Sequence, residues 1–127
     1  MAKWKYFTED EMRCKGTGEC QMDESFMEAL DKLREDYDKP MIISSGYRHQ
    51  AHNIAIGGSR YSAHLQGKAV DVVIAGHEAH RLLRLAINHG FTGIGVSQRG
   101  KFDNRFLHMD ILEDSDNSPR PWIWSYK

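Results

Sequence analysis

Two apolar segments of this 127-residue chain are interrupted by side chains that can ionise or bind metal. Asp71 interrupts Lys68-Ala69-Val70-Asp71-Val72-Val73-Ile74, and a carboxylate buried there without a partner is costly. His108 and Asp110 interrupt Phe106-Leu107-His108-Met109-Asp110-Ile111. With the two-residue period of a strand, Leu107, Met109 and Ile111 take one face, and His108 and Asp110 take the other. In the first segment, Val70, Val72 and Ile74 oppose Ala69, Asp71 and Val73 in the same way. His64 precedes Asp71 by seven residues, at the end of a Ser/Gly-bounded loop. Two strands that set a carboxylate and an imidazole on one face, with a loop imidazole above them, bring together three donors for a metal. Zinc accepts nitrogen and carboxylate oxygen at about 2.0–2.2 Å, and catalytic zinc sites keep the fourth position for water. Spacing alone leaves the plainer alternative open: hydrogen-bonded structural histidines, and an Asp71 paired with Lys68 or an arginine.

The elements that must position these residues read as follows. Thr8 and Glu11 form a capping box at the start of a short helix. Asp23 caps a second helix, with Phe26, Met27, Leu30, Leu33 and Tyr37 at helical spacing, and Pro40 closes it. Met41 to Ser45 reads as a buried strand, 49–56 as a short helical turn, and Lys68 to Ile74 as the ligand strand. A third long helix begins near His77, with Ala79, Leu82, Leu83, Ala86 and Ile87 on its apolar face and Gly90 just past its end. Gly93 to Val96, a polar turn over 98–104, and Arg105 to Leu112 form an antiparallel pair. Trp122, Trp124 and Tyr126 alternate in the tail, which reads as an edge strand or clamp. An aromatic core face is the expectation for that stripe, with a sugar or peptide groove as the alternative. The fold expected is α+β: a small, mainly antiparallel sheet with helices packed on one face and a zinc cleft on the other. Residues 1–127 are expected to form a single domain.

Seventeen Lys+Arg against eighteen Asp+Glu leave a net charge of −1, which argues against nucleic acid as the main partner. No apolar run reaches the roughly 18 residues of a membrane span, and the N-terminus lacks a signal peptide's apolar core. Cys14 and Cys20 are too few for a disulfide scaffold. They could form a small bridge, bind a second metal or stay free, and free thiols are the default for a chain kept inside the cell.

Ser62-Ala63-His64-Leu65-Gln66-Gly67-Lys68-Ala69-Val70-Asp71 matches S-x-H-x-x-G-x-A-x-D, and His108-Met109-Asp110 matches a downstream H-x-D. Together they resemble the zinc D-alanyl-D-alanine carboxypeptidase and L-alanyl-D-glutamate endopeptidase family, whose fold relatives include the hedgehog signalling domain. Ser45-Gly46-Tyr47-Arg48, Asn53 and Gly57-Gly58 extend the match upstream, and Tyr6 to Glu11 resembles small phage or prophage members. The resemblance implies one Zn²⁺ per chain held by His64, Asp71 and His108, with Arg48 stabilising the oxyanion. Ser62 would bind substrate or cap the turn into His64, and Asp110 would orient a ligand histidine or pair with an arginine. Gly67 is expected to let the backbone turn between the loop histidine and the ligand strand and to keep the space near the metal clear, and Ala69 to keep the approach to the cavity open. The implied function is hydrolysis of cell-wall stem peptides by a monomer, made without a signal peptide and reaching the wall by phage-type release or as a virion component. The alternative is a catalytically silent, zinc-stabilised wall-binding or structural module.

One position departs from the family pattern. Several branches carry a Glu or Asp three residues before the last histidine, as general base. Arg105 stands there, and it cannot accept a proton. Asp103, in or near the turn, is the expected substitute; Asp110, and His49 or His52 beside Arg48, are weaker ones.

Overall fold

The capping groups read from the sequence start the first two helices. In the computed structural model, which describes residues 3–126, Thr8 Oγ1 accepts the Glu11 N–H at 3.3 Å, and Glu11 accepts the Thr8 N–H at 2.9 Å. The Asp23 carboxylate accepts the Phe26 N–H at 2.9 Å. In chain order the elements are α1 (Glu9–Met12), α2 (Glu24–Tyr37), β1 (Ile42–Ser45), α3 (Gln50–Ala55), β2 (Ala69–Val73), α4 (Gly76–Asn88), β3 (Gly93–Ser97), β4 (Phe106–Asp110) and β5 (Trp122–Ser125). Short 3-10 turns lie at Ala63–Gln66 and Phe102–Asn104.

The five strands form one sheet in the order β1-β2-β4-β3-β5, antiparallel except where β5 runs parallel to β3 at the edge. The α+β class expected from the pattern is the class observed. Val70, Val72, Ile94, Leu107 and Met109 turn to one face of the sheet. There they share a core with Phe26, Met27, Leu30 and Leu33 of α2 and Leu82 and Ala86 of α4. Each fully buried side chain of this size contributes about 1.5–3 kcal/mol, so this face supplies most of the driving force for folding. No helix among the described residues is long and apolar enough to cross a membrane.

Three expectations about packing are corrected. β1 is an edge strand rather than a buried one: it has a neighbour on one side only, and Ile42 is 65% exposed. Ile87 lies near the C-terminal end of α4, off the covered stripe, and is exposed. The aromatic tail is β5 at the opposite edge, with Trp122 exposed and Trp124 half-buried, so it does not belong to the core.

The opposite face of the sheet carries the polar residues in two cross-strand rows. The pairings Ser45–Asp71, Asp71–His108, His108–Gly95 and Gly95–Trp124 form one continuous row through all five strands. Ala69–Asp110, Asp110–Gly93 and Gly93–Trp122 form the next.

Candidate metal centre

Asp71 and His108 face each other on adjacent central strands, and their side chains rise on the same side of the sheet. His64 reaches them from the 3-10 turn, where Ser62 Oγ accepts the His64 N–H at 3.2 Å. Gly67 ends that turn in the left-handed region (φ +67°), which lets the chain reverse into β2. A Cβ at Gly67 would lie 2.1 Å from the Gln21 carbonyl oxygen and 2.8 Å from Met22 Cα. The glycine therefore makes room for the chain entering α2 and not for a metal. Ala69 likewise is not a wall of the cavity: it is fully buried in a small cluster with Ala63 and Leu112.

His64, Asp71 and His108 are all buried, and each brings a ligand atom within 4.8 Å of the other two. Asp71 Oδ1 lies 3.2 Å from His64 Nε2 and 3.2 Å from His108 Nδ1. The far nitrogen of each ring is committed. His64 Nδ1 lies 2.7 Å from the Gly46 carbonyl oxygen, and His108 Nε2 lies 2.6 Å from Asp110 Oδ2. A carbonyl and a carboxylate can only accept, so those nitrogens carry the hydrogens. In the neutral rings, the near nitrogens are then lone pairs, aimed at the point that Asp71 also faces. Three acceptors with no donor among them call for a cation. Two imidazole nitrogens and one carboxylate oxygen are a donor set that zinc takes. Ligands at about 2.0–2.1 Å around a tetrahedral ion stand about 3.3 Å apart, close to the two separations seen here.

Charge follows the same geometry. Burial acts to raise the Asp71 carboxyl, but the facing His108 and His64 rings, which donate to it when they carry a second proton, outweigh that and hold it well below the usual carboxylate range. Burial lowers His64. For His108, burial acts downward, yet the bonds to Asp110 and Asp71 prevail and raise the ring above its ordinary value. A proton is one cation this centre attracts; a divalent metal is another.

The centre opens into a cavity of about 490 Å³. Arg48 lines it, with Nη2 3.5 Å from Asp71 Oδ2, Nε donating to Ser45 Oγ at 3.3 Å and Nη1 donating to Asn53 Oδ1 at 3.1 Å. Asn53 is fully buried and also donates to the Ser59 carbonyl at 2.8 Å, tying Arg48 to the lip of the cleft. Ser62 both caps the turn and lines the cavity. Asp110 accepts from His108 and pairs with an arginine at once; that arginine is Arg120. Trp122, Trp124 and Tyr126 form a wall of the cavity, so the stripe is a groove and not a core face. The Trp124 ring lies 5.0 Å from the His108 ring, tilted by 50° to it.

The structure does not bring Asp103 to this centre. It sits exposed on the 3-10 turn Phe102–Asn104 and is not among the residues lining the cavity. Arg105, where a family base would stand, is stacked over Phe102 and donates to the Gly100 carbonyl through Nε (3.1 Å) and Nη2 (3.0 Å). It clips the loop shut. His49 caps α3, and the His52 ring lies against Gly16; neither lines the cavity. Cys14 and Cys20 are free thiols. Sequence reasoning missed Arg120 altogether and gave Asn53 no role. Neither shows in strand or helix periodicity, because each acts through a contact with a residue outside its own element.

Comparison with known proteins agrees with this geometry. A zinc D-Ala-D-Ala carboxypeptidase of Streptomyces albus G is 37% identical over 57 residues, covering 45% of this chain and 22% of that protein. The chain thus spans about a fifth of that relative's length. The family model described as Peptidase M15 matches residues 5–110, a stretch that contains all three converging donors, and the chain belongs to that family of peptidases.

Proposed function

We propose that this chain hydrolyses the stem peptides of bacterial peptidoglycan, as a D-Ala-D-Ala carboxypeptidase or an L-Ala-D-Glu endopeptidase. The observation that carries the proposal is the buried His64–Asp71–His108 donor set opening into a cavity of peptide-binding size beside Arg48. Zinc held by those three side chains would polarise a scissile carbonyl and activate water. Arg48 is pinned by Ser45 and Asn53 and needs no reorganisation to meet negative charge developing on the carbonyl oxygen. Tyr126 flanks the centre from the β5 side, its hydroxyl oxygen held beside Gly95 with the Trp124 indole. Burial, opposed by the Trp124 hydrogen bond, keeps this phenol protonated, a donor to substrate rather than a base. Ser62 offers a second hydroxyl on the opposite lip. A phage-type endolysin is the setting this proposal takes, supported by the resemblance of residues 6–11 to small phage members.

A silent zinc module is the second reading. It is favoured by one observation: Asp71 and Asp110 are the only carboxylates among the described residues lining the cavity, and both are already partnered. Zinc-loaded protein incubated with purified sacculi separates the two readings. New amino groups that vanish with chelation or His64→Ala establish the peptidase; released D-alanine identifies the carboxypeptidase, and a new N-terminal glutamate the endopeptidase. Folded, zinc-loaded protein that cuts nothing establishes the module.

A further inference from the structure

The family match ends at residue 110, and the chain beyond it returns to the metal centre. Asp110 is fully buried, and each of its oxygens accepts two hydrogen bonds. Oδ1 takes Arg120 Nε at 2.9 Å and the Leu112 N–H at 3.2 Å; Oδ2 takes Arg120 Nη2 at 2.8 Å and His108 Nε2 at 2.6 Å. We propose that Arg120 is a positioning residue of the metal centre, acting through Asp110 to set the ring of His108. This inference rests on the zinc reading of the site.

A two-pronged guanidinium fixes the plane of a carboxylate as well as its position. The plane of Asp110 fixes the direction from which Oδ2 receives His108 Nε2–H, and so the direction in which His108 Nδ1 points. Arg120 is itself held in place. Its Nη1 donates to the Pro119 carbonyl at 2.8 Å, its backbone N–H donates to Asp114 at 2.8 Å, and its guanidinium lies 5.2 Å over Trp124. With donors on all three guanidinium nitrogens engaged and the side chain 10% exposed, Arg120 has little left to offer a substrate anion. Gly93 provides the space for this arrangement: a Cβ there would lie 2.3 Å from each Asp110 oxygen. Partners standing behind a metal-binding histidine typically govern metal affinity by about 10–100-fold.

The test is zinc affinity, measured by chelator competition on the full chain, with the cobalt(II) absorption spectrum as a second readout. Arg120→Ala takes the arginine from the buried Asp110 and leaves it only the His108 and Leu112 N–H donors; the charge-keeping Arg120→Lys covers the case in which that variant does not fold. Arg120→Lys is expected to weaken zinc binding about tenfold or more. Its cobalt spectrum should shift, while its metal-free melting temperature stays near wild type. In combination with Asp110→Asn the losses should be less than multiplicative, because one residue acts through the other. Zinc binding within twofold of wild type and an unchanged spectrum would overturn the inference, as would a variant that only melts earlier. Wild-type protein that takes up no zinc overturns the reading of the site itself, an outcome visible before any variant is made.

Discussion

Gly93→Ala tests the polar face of the sheet with a single methyl group. The added carbon would sit 2.3 Å from both oxygens of Asp110 and 2.4 Å from its carboxyl carbon, far inside contact distance. Asp110 cannot simply swing aside, since His108, Arg120 and the Leu112 N–H hold it from three directions. If the strands give way, overpacking costs about 1–3 kcal/mol. If the carboxylate is pushed off Arg120, a buried ion pair is broken, at about 3–5 kcal/mol. For a domain of this size each kcal/mol moves the melting point by about 3–5 °C, so a fall of about 9–25 °C is expected where the pair breaks. Zinc affinity should fall with it, by about tenfold or more, because His108 loses its brace. Gly95→Ala is the internal control. Its Cβ would meet the Trp124 indole and the Tyr126 hydroxyl at 2.7 Å, side chains on and just past the edge strand β5, which has no neighbour on its outer side. Calorimetry and chelator competition on both variants decide the matter. A Gly93→Ala protein that melts within about 2 °C of wild type and keeps its zinc affinity refutes the packing argument made for Asp110.

Three further outcomes are expected. Arg48→Gln should lower kcat on sacculi by about 10²–10³-fold, the cost of losing a preorganised oxyanion donor, with zinc affinity changed only a few-fold. In the metal-free protein, burial acts to raise the Asp110 carboxyl, but the His108 and Arg120 bonds outweigh it and bring it to about 2 from an ordinary 3.8. A carboxylate depressed on folding stabilises above its unfolded value, so about 2 kcal/mol present at neutral pH is lost as pH falls from about 4 to about 2, and Asp71 adds to this in the same sense. His108, raised on folding, works oppositely: its contribution is complete below about pH 6.5 and fades as pH rises through its folded value. Urea titrations of metal-free protein between pH 2 and pH 8 measure both limbs. Zinc removal at neutral pH should leave the fold intact and lower stability only by mass action, about 2.7 kcal/mol at a free-zinc level 100 times Kd, as melting with and without chelator shows.

How much was legible in the sequence depended on whether a residue works within its own element. The caps at Thr8 and Asp23, the core stripe of α2 and the alternation in β2 and β4 are local patterns, and the structure shows them where the periodicity places them. That alternation also set Asp71, His108 and Asp110 on one face, although their convergence with His64 needed the fold. Local patterns could not say which strand is an edge, so Ile42 was expected to be buried. Nor could they show that Gly67 and Ala69 answer to neighbours other than the metal. Asp103 failed for a related reason: closeness in sequence to His108 says little across a turn that Arg105 clips shut. Arg120 and the Trp122–Tyr126 wall approach from a separate segment, and only the parallel pairing of β5 with β3 brings them over the cleft.

Because Leu107 and Met109 alternate with His108 and Asp110 along β4, the helix-facing side of the sheet acts as a proofreader for the other side. A slip of one residue would push both imidazole and carboxylate into the oily layer under α2 and α4 and expel two large apolar groups to water. Such mispairing is rejected by hydrophobicity before any ion arrives. The donor geometry is thus inherited from the register, and an incoming metal meets a socket already assembled.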